Sequence, residues 1–267
     1  MYNAAVIRTT VPARPGAGPA AAGGDGAVVA GHLTKRFGGV AVVDDVSFSV
    51  PAGAIVGFLG PNGAGKTTTI GMLLGLLRPS EGRVEILGLP MPAARRAILA
   101  RVNFTSPYVS LPGNLTVAEN LAVFARLYGV RKSRAELEHL LERMGLAGMA
   151  SRRTGHLSSG EGTRFGLVKA LLNDPEVLFL DEPTASLDPD GADRVRETLR
   201  AIRAERGMTI FYTSHNMQEV ERLSDRILFL HRGRIIADGP PGEVLRQFDE
   251  DTLEQMFLDL AREGTGA

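Results

Sequence analysis

The sequence predicts an α/β protein built on a mixed, largely parallel sheet, with an inserted helical segment and an antiparallel β part near the N-terminus. Apolar runs of strand type occur at residues 28–33, 40–50, 54–59, 83–87, 177–180, 208–213 and 226–230. Helical periodicity separates the later runs, as in residues 189–205. A mostly helical stretch, from about residue 105 to 172, interrupts this alternation and is interpreted as the inserted segment.

The two ends of the chain differ in composition from its middle. Residues 1–26 are rich in Ala, Gly and Pro, which predicts a disordered tail. We expect the main domain to span residues 27–239. Residues 240–267 are expected to form a helical tail with one or two amphipathic helices. A length of 267 residues allows one large domain of this kind.

The first half of the core is expected to contain a buried strand followed directly by a helix. Residues 54–59 are wholly apolar, which is typical of a strand buried on both faces. The helix is expected from about Lys66 to Leu76, and the next strand follows at residues 83–87.

Three helices are predicted in the inserted segment. The first begins after Thr116, which has the capping-box pattern, and ends near Gly129. The second covers residues 133–143. The third covers residues 159–172 and stops before Pro175, because a proline disfavours helical backbone in the residue that precedes it.

The β/α alternation then returns. A strand at residues 177–180 is followed by a helix at 189–205 and a strand at 208–213. A further strand at residues 226–230 leads into a predicted hairpin turn at residues 232–233.

The composition excludes several classes of function. The chain has no cysteine, so it can form neither disulfides nor thiolate metal sites. Lys plus Arg and Asp plus Glu each number 30, and we therefore expect no nucleic-acid partner. No apolar run is long enough to span a bilayer, and residues 1–26 lack the apolar run expected of a signal peptide. We therefore expect a cytoplasmic protein, with any membrane role arising through a partner.

A glycine-rich motif follows the apolar strand and opens the first helix. Its residues are Gly60, Pro61, Asn62, Gly63, Ala64, Gly65, Lys66, Thr67 and Thr68. In a strand–loop–helix context this pattern is the phosphate-binding loop of nucleotide hydrolases, so the sequence predicts a phosphate-loop NTPase core. Backbone N–H groups are expected to surround the phosphates of ATP. Lys66 would reach the terminal phosphates and Thr67 would help to hold Mg²⁺.

Two carboxylates end the apolar strand at residues 177–180. We expect Asp181 to hold Mg²⁺ and Glu182 to act as the general base on the attacking water. The alternative is that the acidic pair merely caps the following segment.

Two further residues are candidates for contact with the nucleotide. His215 follows the strand at residues 208–213, where a γ-phosphate contact would place it, although a lone histidine is often structural. Phe37 is a candidate for stacking on adenine, and the alternative is an aromatic core residue.

Residues 157–161, Leu-Ser-Ser-Gly-Glu, resemble the signature Leu-Ser-Gly-Gly-Gln of ATP-binding-cassette (ABC) proteins. Asp188 resembles the D-loop of this family, and His215 its switch histidine. The resemblance implies a head-to-tail dimer with a second ATPase subunit. In that dimer the signature residues would contact ATP held by the other subunit's loop: Ser158, Ser159, Gly160 and Glu161. One copy of each motif is compatible with a twofold homodimer.

This chain departs from the family pattern at three positions. Ser159 replaces a glycine of the signature and Glu161 replaces a glutamine. Pro107 stands where the family carries a glutamine before the helical segment, and it has no side-chain oxygen. Either Ser106 substitutes for that oxygen, or metal contact and coupling differ here.

The resemblance implies a transport ATPase that docks under a separate integral-membrane permease, peripheral on the inner face of the cell membrane. The sequence between Pro107 and Gly129 looks most like subunits of export systems. A soluble ATPase of cofactor assembly is the alternative. A phosphate-loop kinase is disfavoured, because it would need neither the signature nor Asp188.

The docking surface for that permease is expected in the loop after Pro107. Its apolar residues are Tyr108, Val109, Leu111 and Leu115. The apolar residues that follow at helical spacing are explained as core: Val117, Leu121, Phe124 and Leu127.

Overall fold

The computed structural model describes residues 26–106 and 111–263. Their strands and helices follow one another as β1 (Gly26–Phe37), β2 (Val40–Pro51), β3 (Ile55–Leu59), α1 (Lys66–Leu73), β4 (Glu81–Ile86), β5 (Leu89–Met91), α2 (Arg95–Leu99), β6 (Val102–Thr105), α3 (Val117–Tyr128), α4 (Arg134–Arg143), α5 (Ser159–Ala170), β7 (Val177–Asp181), α6 (Pro189–Arg206), β8 (Thr209–Thr213), α7 (Met217–Leu223), β9 (Arg226–His231), β10 (Arg234–Gly239), α8 (Pro241–Phe248) and α9 (Leu253–Glu263). The predicted α/β class is confirmed.

The central sheet has the strand order β10-β9-β3-β8-β7-β6. Its neighbours pair in parallel from β9 to β6, and only β10 is antiparallel. Strands β3 and β8 are buried along their whole length, which is why neither alternates between polar and apolar residues. The predicted hairpin is present between β9 and β10, with Arg232 and Gly233 both at positive φ.

A second, antiparallel sheet has the order β2-β1-β4-β5 and forms the predicted N-terminal β part. Three aromatic rings join the two sheets: Phe48 of β2, Phe58 of β3 and Phe211 of β8. The Phe58 and Phe211 ring centroids lie 5.3 Å apart, and those of Phe48 and Phe211 lie 5.7 Å apart. Because all three rings are buried, their contact fixes the second sheet against the strands of the core.

The helices α3, α4 and α5 lie between β6 and β7 in the chain, as the inserted segment requires. Each begins with a capping box, in which a hydroxyl and a carboxylate satisfy each other's backbone N–H groups. The pairs are Thr116 with Glu119, Ser133 with Glu136, and Ser158 with Glu161. These are the helix starts that the sequence predicts.

Several element ends differ from the predicted ones. Helix α1 stops at Leu73, not Leu76, because Gly75 has φ +65° and the N–H of Leu76 turns back to the carbonyl of Gly71 at 2.8 Å. Helix α5 likewise ends at Ala170. Strand β1 is longer than residues 28–33 and begins at Gly26, the last residue of the predicted tail.

Four short elements are missing from the sequence prediction: β5, α2, β6 and α7. Strand β6 has only four residues, too few for a periodic signal, and it forms because it pairs in parallel with β7.

Residues 1–25 of the predicted tail lie outside the described residues, as do Pro107, Tyr108 and Val109. Among the helices described, none has the length and apolarity needed to cross a bilayer.

A glycine at position 60 is required by the contact between β3 and β9. A Cβ there would lie 2.1 Å from the Leu230 carbonyl oxygen, whereas a Cβ on Gly63 meets nothing within 4 Å. Both glycines have positive φ, so alanine strains the backbone at either position. We expect Gly60→Ala to lower the free energy of unfolding by about 3 kcal/mol and Gly63→Ala by only about 1 kcal/mol. Urea denaturation measures both, and equal losses would contradict the clash.

Candidate functional site

The phosphate loop connects β3 to α1. Gly65 is the N-cap of α1 at φ +108°, and a Cβ there would lie 2.8 Å from the Val42 carbonyl oxygen. No described side chain caps this helix, so the N–H groups of its first turn are available to an anion. Asn62, Gly63 and Thr67 are exposed, whereas Ala64 is buried. The loop therefore presents backbone donors to solvent at the end of a buried strand.

The Lys66 amine is folded back onto this loop. It donates to the carbonyl oxygens of Gly60 at 2.5 Å and Pro61 at 3.1 Å. Burial lowers the pKa of Lys66, while the carboxylates of Glu182 and Asp181 act in the opposite direction. The lysine therefore shares one electrostatic environment with both predicted carboxylates.

Asp181 lies at the end of β7, beside the end of β8. Its Oδ1 accepts from the Thr213 hydroxyl at 2.6 Å, and its Oδ2 accepts from the Ser106 hydroxyl at 3.4 Å. The carboxylate therefore bonds to residues from the two neighbouring strand ends. The alternative role, in which the acidic pair caps the segment after β7, does not account for these two hydrogen bonds of Asp181. Ser106, the suggested substitute for the family's glutamine, is directly bonded to Asp181.

Glu182 is bonded to His215. The carboxylate Oε2 lies 2.7 Å from the imidazole Nδ1 and accepts from the His215 backbone N–H at 3.3 Å. Glu182 has a backbone φ of +51°, and its own N–H donates to the Thr213 carbonyl at 3.1 Å. The histidine side chain is 67% exposed and the glutamate only 20%. The strand ends of β7 and β8 thus bring the predicted base and the predicted switch histidine into direct contact.

A third carboxylate, Glu219, lies behind this pair and was not found from the sequence. Its Oε2 accepts from the hydroxyls of Thr184, after β7, and Ser214, after β8, the latter at 3.2 Å. Only 1% of Glu219 is exposed, and its Oε1 has no hydrogen-bond partner among the described residues. Burial raises its pKa, and the two hydroxyls oppose that effect. Its helix, α7, was itself missing from the prediction, so no periodic signal indicated this residue.

The signature residues lie at the start of α5, across a cleft of about 290 Å³ from the carboxylates. Ser158, Ser159 and Thr163 line one side, and Ser106, Asp181 and Glu182 line the other. The phosphate-loop residues do not line this cleft. The start of α5 thus shares this cleft with the predicted carboxylates and not with the phosphate loop.

The predicted D-loop lies beside the signature. A Cβ on Gly160 would be 3.3 Å from a methyl carbon of Leu187, so the glycine permits a close approach of this loop. The Asp188 side chain accepts from the Gly191 N–H at 3.0 Å and caps α6. Asp188 thus has a structural role within the chain, whatever its contacts in an assembly.

Phe37 ends β1, and 48% of it is exposed. The Lys35 amine lies 5.1 Å from the centroid of its ring. An aromatic side chain with this exposure is not a core residue. The alternative prediction from the sequence, that Phe37 belongs to the core, is therefore wrong. The ring is accessible for stacking.

Taken together, the loop with Lys66 between β3 and α1 and the carboxylates at the adjacent strand ends define a phosphate-loop nucleotide hydrolase. A family model described as ABC transporter matches residues 43–185. Nod factor export ATP-binding protein I of Burkholderia orbicola (strain AU 1054) is 45% identical over 212 residues, which cover 79% of this chain and 69% of that protein. The chain belongs to the ABC transporter family, as an ATP-binding and ATP-hydrolysing subunit.

Solved structures agree with this assignment. The structure of an ATP-binding subunit of an ABC transporter is 30% identical, with a TM-score of 0.79, and covers 88% of this chain and 99% of that one. A dimeric structure of a bacterial ABC transporter cassette has a TM-score of 0.72 over 80% of this chain and 98% of that one. At 24% identity, the second likeness shows the fold alone.

Glu219 makes stability depend on pH. Because its pKa is raised in the folded chain, the folded state binds this proton more tightly than the unfolded state. Its contribution is complete below the ordinary pKa of 4.5 and is lost as pH rises towards the raised pKa. Glu219→Gln stays neutral, so its free energy of unfolding relative to wild type should increase over that range. Urea denaturation at several pH values measures this difference.

The matched control is Glu197→Gln, which neutralises an exposed glutamate on α6. The difference in free energy of unfolding between this variant and wild type should change little with pH. A difference that is equally independent of pH for Glu219→Gln would contradict the raised pKa of Glu219.

Proposed function

We propose that this chain hydrolyses ATP to drive export through a separate integral-membrane permease, at the inner face of the cell membrane. The observation that carries the ATPase chemistry is the Glu182–His215 contact of 2.7 Å, in the electrostatic environment of Lys66. The proposal of export is supported by the relatives, which are export ATP-binding proteins. The nature of the cargo is outside this proposal.

The nucleotide would bind along the phosphate loop. Backbone N–H groups of residues 62–68, which include the first turn of α1, would surround its phosphates. The terminal phosphates would replace the Gly60 and Pro61 carbonyls as partners of the Lys66 amine, since a charged acceptor forms the stronger hydrogen bond. The exposed ring of Phe37 would stack on the adenine.

The oxygen donors near the loop fit Mg²⁺. Thr67 offers an exposed hydroxyl and Asp181 offers a carboxylate, and Mg²⁺ prefers hard oxygen ligands of this kind together with water and phosphate. When bound, Mg²⁺ would neutralise charge on the phosphate oxygens. The Thr213 and Ser106 hydroxyls orient Asp181 for that role.

Glu182 would act as the general base. Its Oε2 is held by His215, which leaves Oε1 to accept a proton from the attacking water. The water oxygen bonds to the γ-phosphorus while the bond from that phosphorus to the β–γ bridging oxygen breaks. The products are ADP and phosphate. His215 is mostly exposed, so its ring is placed to turn towards the γ-phosphate while its backbone N–H keeps its contact with Glu182.

A second copy of the chain would complete each site. The exposed start of α5 would present Ser158, Ser159, Gly160 and Glu161 to ATP held by the partner's loop. Support comes from the cleft beside α5, which Ser158 and Ser159 line and the chain's own phosphate-loop residues do not. Asp188 and its loop, packed beside Gly160, would lie at the same interface. A solved cassette of the same fold is dimeric.

The permease would dock on the exposed face of α3. Leu127, predicted as core, is 70% exposed, and Val123 one turn earlier is 44% exposed. Val117 and Leu121 on the opposite face are fully buried, and Phe124 packs against them. Leu111, predicted in the docking loop, also packs against that core. An apolar pair left in water on an otherwise amphipathic helix favours a protein partner at this face.

Glu182→Gln tests the hydrolytic proposal. We expect turnover to fall by about 10²–10⁴-fold while ATP binding is kept, because the amide cannot accept the proton. The variant should accumulate as an ATP-bound dimer, visible by size-exclusion chromatography with ATP and Mg²⁺. Lys66→Ala is the comparison, since it should weaken nucleotide binding itself. Near-normal turnover in Glu182→Gln would remove Glu182 from the mechanism.

The transport proposal is tested by the double substitution Val123→Ser with Leu127→Ser. The chain would be co-expressed with an integral-membrane permease subunit of an export system. We expect the variant to keep its own ATPase rate but to lose co-purification with that protein from detergent, as well as any stimulation by it. Leu76→Ser, which alters a leucine that is 64% exposed outside the helical segment, is the control and should co-purify. Unchanged co-purification of the double variant would place docking elsewhere.

A further inference from the structure

The signature of this chain carries a carboxylate, Glu161, and both of its oxygens are engaged. Oε2 accepts from the Ser158 backbone N–H at 2.7 Å, which is half of the capping box that starts α5. Oε1 accepts from the Arg152 guanidinium at 3.0 Å. The Glu161 side chain is only 15% exposed, so this ion pair is partly shielded from water.

A charged residue at this position creates an electrostatic conflict. The hydrogen bond from the Ser158 N–H, together with Arg152, holds the pKa of Glu161 below its usual range, so the group is anionic. A carboxylate in the first turn of α5 would repel a triphosphate brought to the same helix start. A glutamine would make the same cap without a charge. This chain has the glutamate, and next to it a cation that the sequence pattern did not indicate.

Arg152 is held in place independently of Glu161. Its second guanidinium nitrogen donates to the His156 carbonyl at 2.7 Å. Its backbone N–H donates to the Met149 carbonyl, and its carbonyl accepts from the Val117 N–H, both at 2.9 Å. The guanidinium is therefore pre-positioned beside Glu161, so less side-chain entropy is lost when the pair forms.

We propose that Arg152 is a positioning residue of the nucleotide site: it neutralises Glu161 and keeps it on the Ser158 N–H, so that the start of α5 can accept the terminal phosphate of ATP bound to a second copy. This inference rests on the proposed function. It assigns the Arg152–Glu161 pair the role that a neutral glutamine would otherwise fill.

The test measures ATP-driven dimerisation in the Glu182→Gln background, by sedimentation velocity with ATP and Mg²⁺. Arg152→Gln removes the charge and keeps a polar side chain with an amide donor. We expect it to raise the ATP concentration for half-maximal dimerisation by roughly tenfold at about 0.05 M NaCl. The loss should shrink to about threefold or less at about 0.5 M NaCl, because salt screens the repulsion between the unpaired carboxylate and the triphosphate.

Rescue separates charge compensation from a merely structural role. In a Glu161→Gln background, Arg152→Gln should change the ATP requirement by less than about twofold, because no carboxylate remains to be neutralised. Arg153→Gln removes the neighbouring positive charge, which acts on Glu119 instead, and should leave the requirement unchanged. Arg152→Lys keeps the charge and should stay within about threefold of the parent, which keeps the test decisive if Arg152→Gln fails to fold.

The inference would be overturned if Arg152→Gln raised the ATP requirement equally with and without Glu161, or did not raise it at all. A tenfold rise in Arg152→Lys would also overturn it. In each of these cases the parent still dimerises with ATP, so the proposed function is retained. If the Glu182→Gln parent does not dimerise with ATP and Mg²⁺ at all, the composite site fails and the inference fails with it.

Discussion

The parallel pairing of β3, β8 and β7 is the constraint on which the site depends. Adjacent parallel strands end at the same edge of a sheet, so the residues after them are brought together without any sequence proximity. Thr213 of β8 pairs with Phe58 of β3 on one side and with Asp181 of β7 on the other. The phosphate loop after β3 is therefore one strand away from the end of β8 and two strands away from the carboxylates. Aromatic packing of Phe48 on Phe211 stabilises these strands from one face.

The strand ends are then joined by a small polar network. Thr213 binds Asp181, His215 binds Glu182, and Glu219 joins the segments after β7 and β8 through two hydroxyls. The part of this network around Glu219 is buried, and there an unpaired polar group loses the full value of its hydration. The network therefore links the segments that follow β7 and β8.

The helical segment works under a different constraint. Its α5 begins at Ser158 with a capping box that uses the Ser158 backbone N–H and the Glu161 N–H internally. The N–H groups of Ser159 and Gly160 are left over at an exposed end, on the far side of a cleft from the carboxylates. In the proposed dimer, these N–H groups would meet ATP held by the partner's phosphate loop, and a permease bound to the helical segment would act on that contact.

The sequence by itself determined the local chemistry. Glycines at 60, 63 and 65 before Lys66 predict a phosphate loop because few other residues tolerate that backbone, and hydroxyls three residues before Glu119, Glu136 and Glu161 predict helix starts. The unbroken apolar runs predict strands buried on both faces. These signals are readable because their causes lie within a few residues of one another.

Only the tertiary structure decided the rest. Glu219 and Arg152 act through partners distant in sequence or outside any motif, and β6 exists because β7 lies beside it. Leu127 has the spacing of a core residue, yet it faces water. Spacing alone does not show how much of a helix surface is covered by the neighbouring elements. Contacts of this kind depend on which elements meet in space, and the local pattern of residues along one sequence does not predict those meetings.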